Sequence, residues 1–315
     1  MSRALPDLSR LSAHDDPATG IRERFLQPML DGSRTVAVLT TPLEGSERSE
    51  AWLICHSFGI EQIHLQSLEV AFARRLAALG HPVLRFHARG CGDSDAPSEV
   101  YTAQTHVQDA VDLARSLLDS GIERVAFAGG LFGAAAAALA ASQVPAAGLL
   151  LWEPVVDGAA YLASLLRSAV ATELASGTGA REAVADPLDV LRETGVLDVQ
   201  GFPLTREAAD SFSAISVAES GTPFAGDCLI LQISRAAAPK PSLVRLAAAL
   251  EARGGRVTLE VLQRPDAWRF GQNRYRLAEQ GGRADQQAEL NRAILERSQH
   301  WVAARSATAA SASAG

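Results

Sequence analysis

Short apolar runs rich in β-branched residues alternate along this chain with longer segments of helical periodicity. The runs lie at residues 34–40, 51–58, 82–88, 125–131, 146–155, 228–234 and 257–263. From residue 51 onward most of them are apolar nearly throughout, which is typical of strands in a parallel sheet covered by helices on both faces. Helical spacing is found at residues 65–79, 106–118, 132–142, 243–252 and 283–305. This alternation predicts an α/β fold with a mostly parallel twisted sheet and an antiparallel edge at residues 22–41.

The alternation is interrupted between residues 157 and 226, where about seventy residues separate two predicted strands. One crossover helix normally joins such strands, and this stretch has helical patterns of its own at residues 161–174 and 187–191. We therefore predict a single domain at residues 21–305, with a helical lid inserted at about 157–226. Residues 1–20 are predicted to be a flexible N-terminus. Residues 306–315 contain only Ser, Ala, Thr and Gly, which predicts a disordered tail.

Composition excludes several classes of function. The chain has 36 acidic and 29 basic residues, a net charge of -7 and no block of Lys or Arg, so we expect neither a nucleic-acid nor a membrane partner. No stretch reaches the roughly 18 uninterrupted apolar residues that a membrane helix needs. The three cysteines form no CxxC pair, which fits a reducing compartment, and no apolar N-terminal run indicates a secretory signal. We therefore expect a cytoplasmic protein.

The most informative turn follows the predicted strand at residues 125–131. Its glycines, Gly129 and Gly133, have the spacing of the G-x-S-x-G motif, in which a serine nucleophile lies on a strained turn between strand and helix. The central residue here is Leu131, which has no lone pair to attack a carbonyl, so a serine reaction at this position is excluded. The glycines are equally explained by close packing of strand and helix. The turn is neither a dinucleotide nor a P-loop motif, and no spacing of metal ligands occurs, so no cofactor or metal is predicted.

Other segments extend the pattern around this turn. The sequences CHSFG at residues 55–59, VLRFHARGCGDSD at 83–95, GGLFGA at 129–134 and LWEPVVDG at 151–158 occur in this order. With these segments the chain resembles the α/β-hydrolase superfamily, and more narrowly the serine-aminopeptidase-like hydrolases of exosortase A systems. The resemblance implies an α/β-hydrolase fold with a lid.

The resemblance also implies where a Ser-His-Asp triad would lie. The nucleophile position falls on Leu131. The acid would follow the strand at 228–234, where Arg235 and Ala236 stand, and the histidine would follow the last strand, where residues 264–270 contain none. The implied triad is therefore degenerate, and a conventional serine-hydrolase activity is not expected.

Polar residues that could replace the triad lie at the predicted carboxyl ends of the strands, where an open α/β sheet binds its ligands. His56 and His87 are candidate acid–base groups, and Ser57 or Cys91 is a candidate non-standard nucleophile. A packed or hydrogen-bonded histidine at a strand end accounts for the same pattern. The predicted substrate pocket is lined by Phe58, Leu131, Phe132, Trp152 and Trp268.

These observations lead to three alternatives. The first is a hydrolase-like protein without the triad, which binds a small hydrophobic or acyl-bearing molecule or promotes a non-hydrolytic step of the cyclisation or dehydration type in a biosynthetic pathway. The second is an active hydrolase or acyltransferase acting on an ester, thioester or amide through a non-standard nucleophile. The third is a non-catalytic interaction scaffold. A small-molecule ligand is the expected partner, and a homodimer is compatible with the sequence.

Overall fold

A computed structural model of the chain describes residues 12–45, 49–176, 186–219, 224–263 and 283–313. Its strands are β1 (Ala13–Asp16), β2 (Ile21–Leu26), β3 (Met29–Leu30), β4 (Ser33–Arg34), β5 (Ala37–Pro42), β6 (Glu50–Cys55), β7 (Val83–Phe86), β8 (Arg124–Gly130), β9 (Ala146–Trp152), β10 (Val196–Val199), β11 (Phe202–Thr205), β12 (Asp227–Ser234) and β13 (Arg256–Gln263). Nine of these strands form one sheet in the order β1-β2-β5-β7-β6-β8-β9-β12-β13. β3 pairs with β4, and β10 pairs with β11, in two small hairpins.

The pairing directions divide the sheet into two parts. In the order of the sheet, the strands β7, β6, β8, β9, β12 and β13 are all parallel to their neighbours in this group. β1, β2 and β5 pair antiparallel and form one edge. All six residues of β6, at the centre, are buried, as expected of a strand covered on both faces. The mostly parallel sheet and its antiparallel edge are therefore confirmed.

Helices cover both faces of this sheet. They are α1 (Ile60–Ala78), α2 (Ala103–Asp119), α3 (Phe132–Ala141), α4 (Gly158–Ser176), α5 (Pro187–Thr194), α6 (Arg206–Ser213), α7 (Pro241–Ala252) and α8 (Arg283–Ser313). α1 and α8 bury one apolar layer around Trp52, Phe72 and Trp152. α2, α3, α6 and α7 bury the other layer around Phe127, Phe132 and Phe212. No helix in the described part of the chain is long and apolar enough to cross a membrane.

Three segments differ from the sequence prediction. Within the predicted flexible N-terminus, residues 13–16 form the edge strand β1, held by backbone pairing with β2 and by the Asp15–Arg22 ion pair at 2.6 Å, neither of which depends on apolar residues. α8 continues to Ser313 through most of the predicted tail, since alanine is the strongest helix former.

The third difference is in the insertion, where α4 and α5 match the helical patterns but β10, β11 and α6 were not predicted. The hairpin turns at Gln200 and Gly201, both with positive φ (58° and 88°). Both central residues of a type I′ turn have positive φ, and the usual sequence of such a turn is Asn-Gly. The sequence Gln-Gly therefore did not indicate a hairpin here.

Candidate functional site

The turn between β8 and α3 has the geometry that its glycine spacing suggested. Leu131 has φ 50° and ψ -118°, a conformation that costs a non-glycine residue on the order of 1–3 kcal/mol. A Cβ atom on Gly129 would lie 2.5 Å from the carbonyl carbon of Gly133, and one on Gly133 would lie 2.3 Å from the carbonyl oxygen of Cys55. Both glycines are thus required sterically, and the strained turn is present although its central side chain is leucine.

Hydrogen bonds to the neighbouring strand end hold this turn. The Leu131 N–H donates to the carbonyl of Trp152 at 2.9 Å, and the Leu131 carbonyl accepts from the N–H of Val155 at 3.1 Å. The leucine side chain is partly buried against the apolar layer beneath α1. The central position of the turn therefore presents an apolar group at the carboxyl ends of the strands.

A hydrogen-bonded cluster of Ser57, Glu61 and Tyr161 lies at the same end of the sheet. Glu61 is in the first turn of α1, just after β6, and Tyr161 belongs to α4 of the insertion. The Ser57 hydroxyl donates to Oε2 of Glu61 at 2.7 Å, and the Tyr161 hydroxyl donates to the same oxygen at 2.9 Å. Ser57 is fully buried and Tyr161 is nearly so. The carboxyl group is thus held by two neutral donors, one four residues before it and the other a hundred residues after it.

Burial determines the electrostatics of this carboxyl group. It raises the pKa of Glu61 to about 7, and the hydrogen bonds from Ser57 and Tyr161 oppose this shift only in part. No ion pair among the described residues includes Glu61. A group with a pKa near the working pH can both accept and donate a proton, and such perturbed groups concentrate at functional sites.

His56, predicted as an acid–base group, is fixed between two backbone groups. Its Nδ1–H donates to the carbonyl of Ser57 at 2.7 Å, and its Nε2 accepts from the N–H of Ala88 at 3.1 Å. The ring stacks on His106 of α2 with centroids 4.4 Å apart, and burial lowers the pKa of His56 to about 4. His56 is therefore neutral, and both of its ring nitrogens are already engaged.

His87 and Cys91, the other predicted reactive side chains, lie on the loop that follows β7. Nδ1 of His87 accepts from the N–H of Asp93 at 3.0 Å, and burial lowers the pKa of this histidine. Its side chain remains 26% exposed, unlike that of His56. Burial raises the pKa of Cys91 to about 12, so this sulfur is a thiol at neutral pH and a poor nucleophile.

The predicted pocket residues are distributed over both faces of the sheet. Phe58 and Phe132 pack against Phe212 of α6, with ring centroids 5.0 and 4.6 Å away, so that the insertion lies directly on the strand ends. Trp152 is on the opposite face, where it packs against Phe72 at 5.2 Å and its indole N–H donates to Ser298. The structure therefore does not bring Trp152 to the other predicted residues, and Trp268 lies outside the described residues.

Three surface clefts of about 450–480 Å³ are lined by described residues, and none of them includes a predicted pocket residue.

The residues that sequence reasoning missed are Glu61 and Tyr161. An acidic residue in the first turn of a helix is ordinary, because it interacts favourably with the helix dipole. Only the fold shows that Tyr161, a hundred positions later, points its hydroxyl at this carboxylate.

The end of β12, where the resemblance places a catalytic acid, has no carboxylate of its own in residues 234–240. Glu153, from the end of β9, reaches this place instead. Its carboxylate accepts from the N–H of Ile233 and pairs with Lys240 at 2.8 Å. A carboxylate already neutralised by a lysine resembles a structural ion pair more than a free catalytic acid.

Comparison with known proteins supports the fold. No protein-family model matches the sequence, and no curated protein matches it significantly. Among solved structures, Est1E from Butyrivibrio proteoclasticus with bound ferulic acid has a TM-score of 0.55 and 18% identity, covering 87% of this chain and 97% of that one. A putative hydrolase from Agrobacterium vitis S4 has a TM-score of 0.53 and 14% identity, covering 90% and 98%. The chain is thus similar over nearly the whole length of these proteins, and its fold is the α/β-hydrolase fold.

Proposed function

We propose that this α/β-hydrolase-fold protein works without a Ser-His-Asp triad. It binds a small apolar or acyl-bearing molecule at the carboxyl ends of its strands, or promotes a non-hydrolytic step on such a molecule. The observation that carries the proposal is Leu131, which occupies the strained turn between β8 and α3 and offers no nucleophilic atom.

The other triad positions agree with this proposal. No carboxylate follows β12 directly, and the sequence after β13 contains no histidine before His300, which belongs to α8. Removal of a single triad member lowers the catalytic rate of a serine hydrolase by several orders of magnitude. In this chain three separate positions lack the required side chain. An apolar residue in the turn favours an apolar ligand, as in most small-molecule sites.

A second candidate function, hydrolysis through Ser57, is favoured by the 2.7 Å hydrogen bond from its hydroxyl to Glu61. A nucleophile bonded to a base, with a third group orienting that base, is the arrangement that activates serine hydroxyls in enzymes. Tyr161 is such a third group. Against this alternative stands the complete burial of Ser57, since an attacking oxygen must reach the substrate carbonyl.

One experiment separates the two functions. The full chain is incubated with a fluorophosphonate probe and with short-chain nitrophenyl esters, alongside the variants Ser57→Ala and, as a matched control, Ser94→Ala. The proposal expects no stoichiometric labelling and no ester hydrolysis above the buffer rate in any of the three proteins. Labelling that is lost in Ser57→Ala and retained in Ser94→Ala would establish the hydrolase and refute the proposal.

A further inference from the structure

We propose that Glu61 is the catalytic residue of this site, transferring a proton from one atom of a small apolar carbonyl compound to another, with Ser57 and Tyr161 as positioning residues. The inference rests on the proposed non-hydrolytic function and names its chemistry. It also replaces His56 and His87, the acid–base groups suggested by the sequence, with a residue that the sequence did not single out.

The hydrogen bonds leave one carboxyl oxygen for a ligand. A carboxylate oxygen has about two lone-pair sites, and the hydroxyls of Ser57 and Tyr161 both donate to Oε2. Within the described residues no hydrogen bond reaches Oε1. As a residue Glu61 is partly exposed, whereas Ser57 is fully buried. Proton exchange with a ligand is therefore assigned to Oε1, while Oε2 anchors the group.

The donors that hold Glu61 suit repeated proton transfer. Hydroxyl groups stabilise the carboxylate but still allow it to be protonated. An arginine or lysine in their place would hold it in the ionised form. Since burial raises the pKa of Glu61 to about 7, its acid and base forms are both abundant at neutral pH. General acid–base catalysis is most efficient with such a balance.

The orientation of Tyr161 is set by the packing of the insertion. Its ring stacks on Phe132, the residue after Leu131, with centroids 5.7 Å apart and the planes inclined by 22°. Phe212 of α6 packs against both rings, at 6.2 Å from Tyr161 and 4.6 Å from Phe132. The hydroxyl that holds Glu61 is thereby fixed by the same aromatic cluster that seats the insertion on the strand ends.

The reaction step requires no other reactant. Oε1 of Glu61 takes the proton from a carbon next to a carbonyl group, and the electron pair of the broken C–H bond forms a C=C bond while the carbonyl π electrons move to oxygen. The carboxyl group, now neutral, returns the proton to a different atom of the resulting enolate. The product is an isomer of the substrate, and Glu61 is again ionised.

The test uses 5-nitrobenzisoxazole, an apolar bicyclic compound that reports a carboxylate base. When a base removes its ring C–H proton, the electron pair forms a nitrile, the N–O bond breaks, and a coloured cyanonitrophenolate is released. With the full chain the rate should rise with pH to a plateau, with a midpoint near 7, because only ionised Glu61 is a base. Glu61→Gln should lower the rate by about 100-fold or more, while the exposed Glu251→Gln leaves it unchanged.

The positioning residues are tested by the midpoint of the same pH profile. Each hydroxyl stabilises the ionised form, so Tyr161→Phe and Ser57→Ala should each move the midpoint upward by about one pH unit. A merely structural role would lower the rate or the stability without moving the midpoint. In Glu61→Gln the new amide retains an oxygen that can accept hydrogen bonds from both hydroxyl groups. Thermal unfolding checks that all of the variants fold.

The infrared band of a protonated carboxyl group provides a second measurement that needs no substrate. Burial also raises the pKa of Glu69, to about 8, so the measurement is the difference between the wild-type and Glu61→Gln spectra. The difference spectrum should contain a protonated-carboxyl component that titrates near pH 7. The role of Glu61 would be overturned if the protein opened the ring of 5-nitrobenzisoxazole no faster than acetate does. It would also be overturned if Glu61→Gln and the wild type opened the ring at equal rates. Fluorophosphonate labelling of Ser57 would overturn the proposed function instead, so the two failures are distinguishable.

Discussion

A carboxylate lies near each end of the central strand β6, Glu50 buried and Glu61 partly buried, and the two are compensated in different ways. Glu50, the first residue of β6, is held by the two terminal guanidinium nitrogens of Arg305, at 2.6 and 2.8 Å. Glu61, six residues after the strand ends, is held by the hydroxyls of Ser57 and Tyr161. One carboxylate faces a fixed positive charge, and the other faces neutral donors only. This difference separates a structural ion pair from a group that titrates near neutral pH.

At the amino end the ion pair fastens a helix to the sheet. Arg305 is in α8, its guanidinium also donates to the carbonyl of Ala147, and it lies over the ring of Trp52 at 5.6 Å. A guanidinium bound through two nitrogens is among the strongest and most directional partners for a carboxylate. The arrangement leaves no oxygen of Glu50 without a charged partner, so this end is suited to stability rather than proton transfer.

The largest effect is expected from removing the cation of the amino end. Arg305→Met leaves the buried Glu50 with only a more distant cation, Arg124, whose Nε lies 3.8 Å from its carboxylate. This loss should lower the free energy of unfolding by about 3–5 kcal/mol in denaturant titrations. Adding Glu50→Gln to this variant should restore part of the loss, since the buried charge is removed. A loss below about 1 kcal/mol would show that the pair does not stabilise the fold and would break the comparison.

The second prediction concerns the sign of the effect at the other end. The folded-state pKa of Glu61, about 7, lies above the unfolded value of 4.5, so wild-type stability declines as pH rises from about 4.5 to above 7. Glu61→Gln has no carboxyl group to ionise and escapes this decline. Its unfolding free energy relative to wild type should therefore increase by up to about 3 kcal/mol between pH 4 and pH 9.

Urea titrations at both pH values measure this difference, with the exposed Glu251→Gln as the matched control, for which no such pH dependence is expected. A relative stability of Glu61→Gln that stays constant from pH 4 to pH 9 would mean that the carboxyl group titrates normally. The contrast between the two ends of β6 would then disappear.

The smallest effect is expected from an exposed ion pair near Glu50. Arg256 pairs with Asp227 at 2.7 Å, but its side chain is 72% exposed, whereas that of Arg305 is 10% exposed. Solvent screens such a pair, so Arg256→Met should cost only about 0.2–1 kcal/mol in the same denaturant titrations. If Arg256→Met costs as much as Arg305→Met, burial is not what distinguishes the two arginines.

Much of the framework follows from local sequence patterns. Strands β6 and β8 are predicted by continuous apolar runs, and the turn at Leu131 by the spacing of Gly129 and Gly133. The glycine spacing can be read from residues close together in the chain, and the steric reason for Gly129 lies within its own strand–turn–helix unit. The steric reason for Gly133 is the carbonyl oxygen of Cys55, on the neighbouring strand β6, which only the fold places there. The small hairpin of the insertion was missed because its turn has the unusual sequence Gln-Gly.

The site itself could be predicted only in part. His56 and Ser57 were placed correctly at the end of β6, but the sequence did not show that two backbone groups occupy both nitrogens of His56. Trp152 was expected in the pocket, yet successive residues of a strand point to opposite faces, and the register of β9 turns it toward α1 and α8. A prediction of side-chain direction needs the register as well as the position of a strand end.

The sequence alone determined the α/β architecture and the absence of a serine from the turn between β8 and α3, because apolar periodicity and residue identity are properties of the chain. Only the tertiary structure decided which carboxylate meets which partner. Glu50 and Arg305 are separated by 255 positions, and Glu61 and Tyr161 by 100. Such pairs form when packing brings distant segments together, so packing decides whether a carboxyl group meets a guanidinium or a hydroxyl.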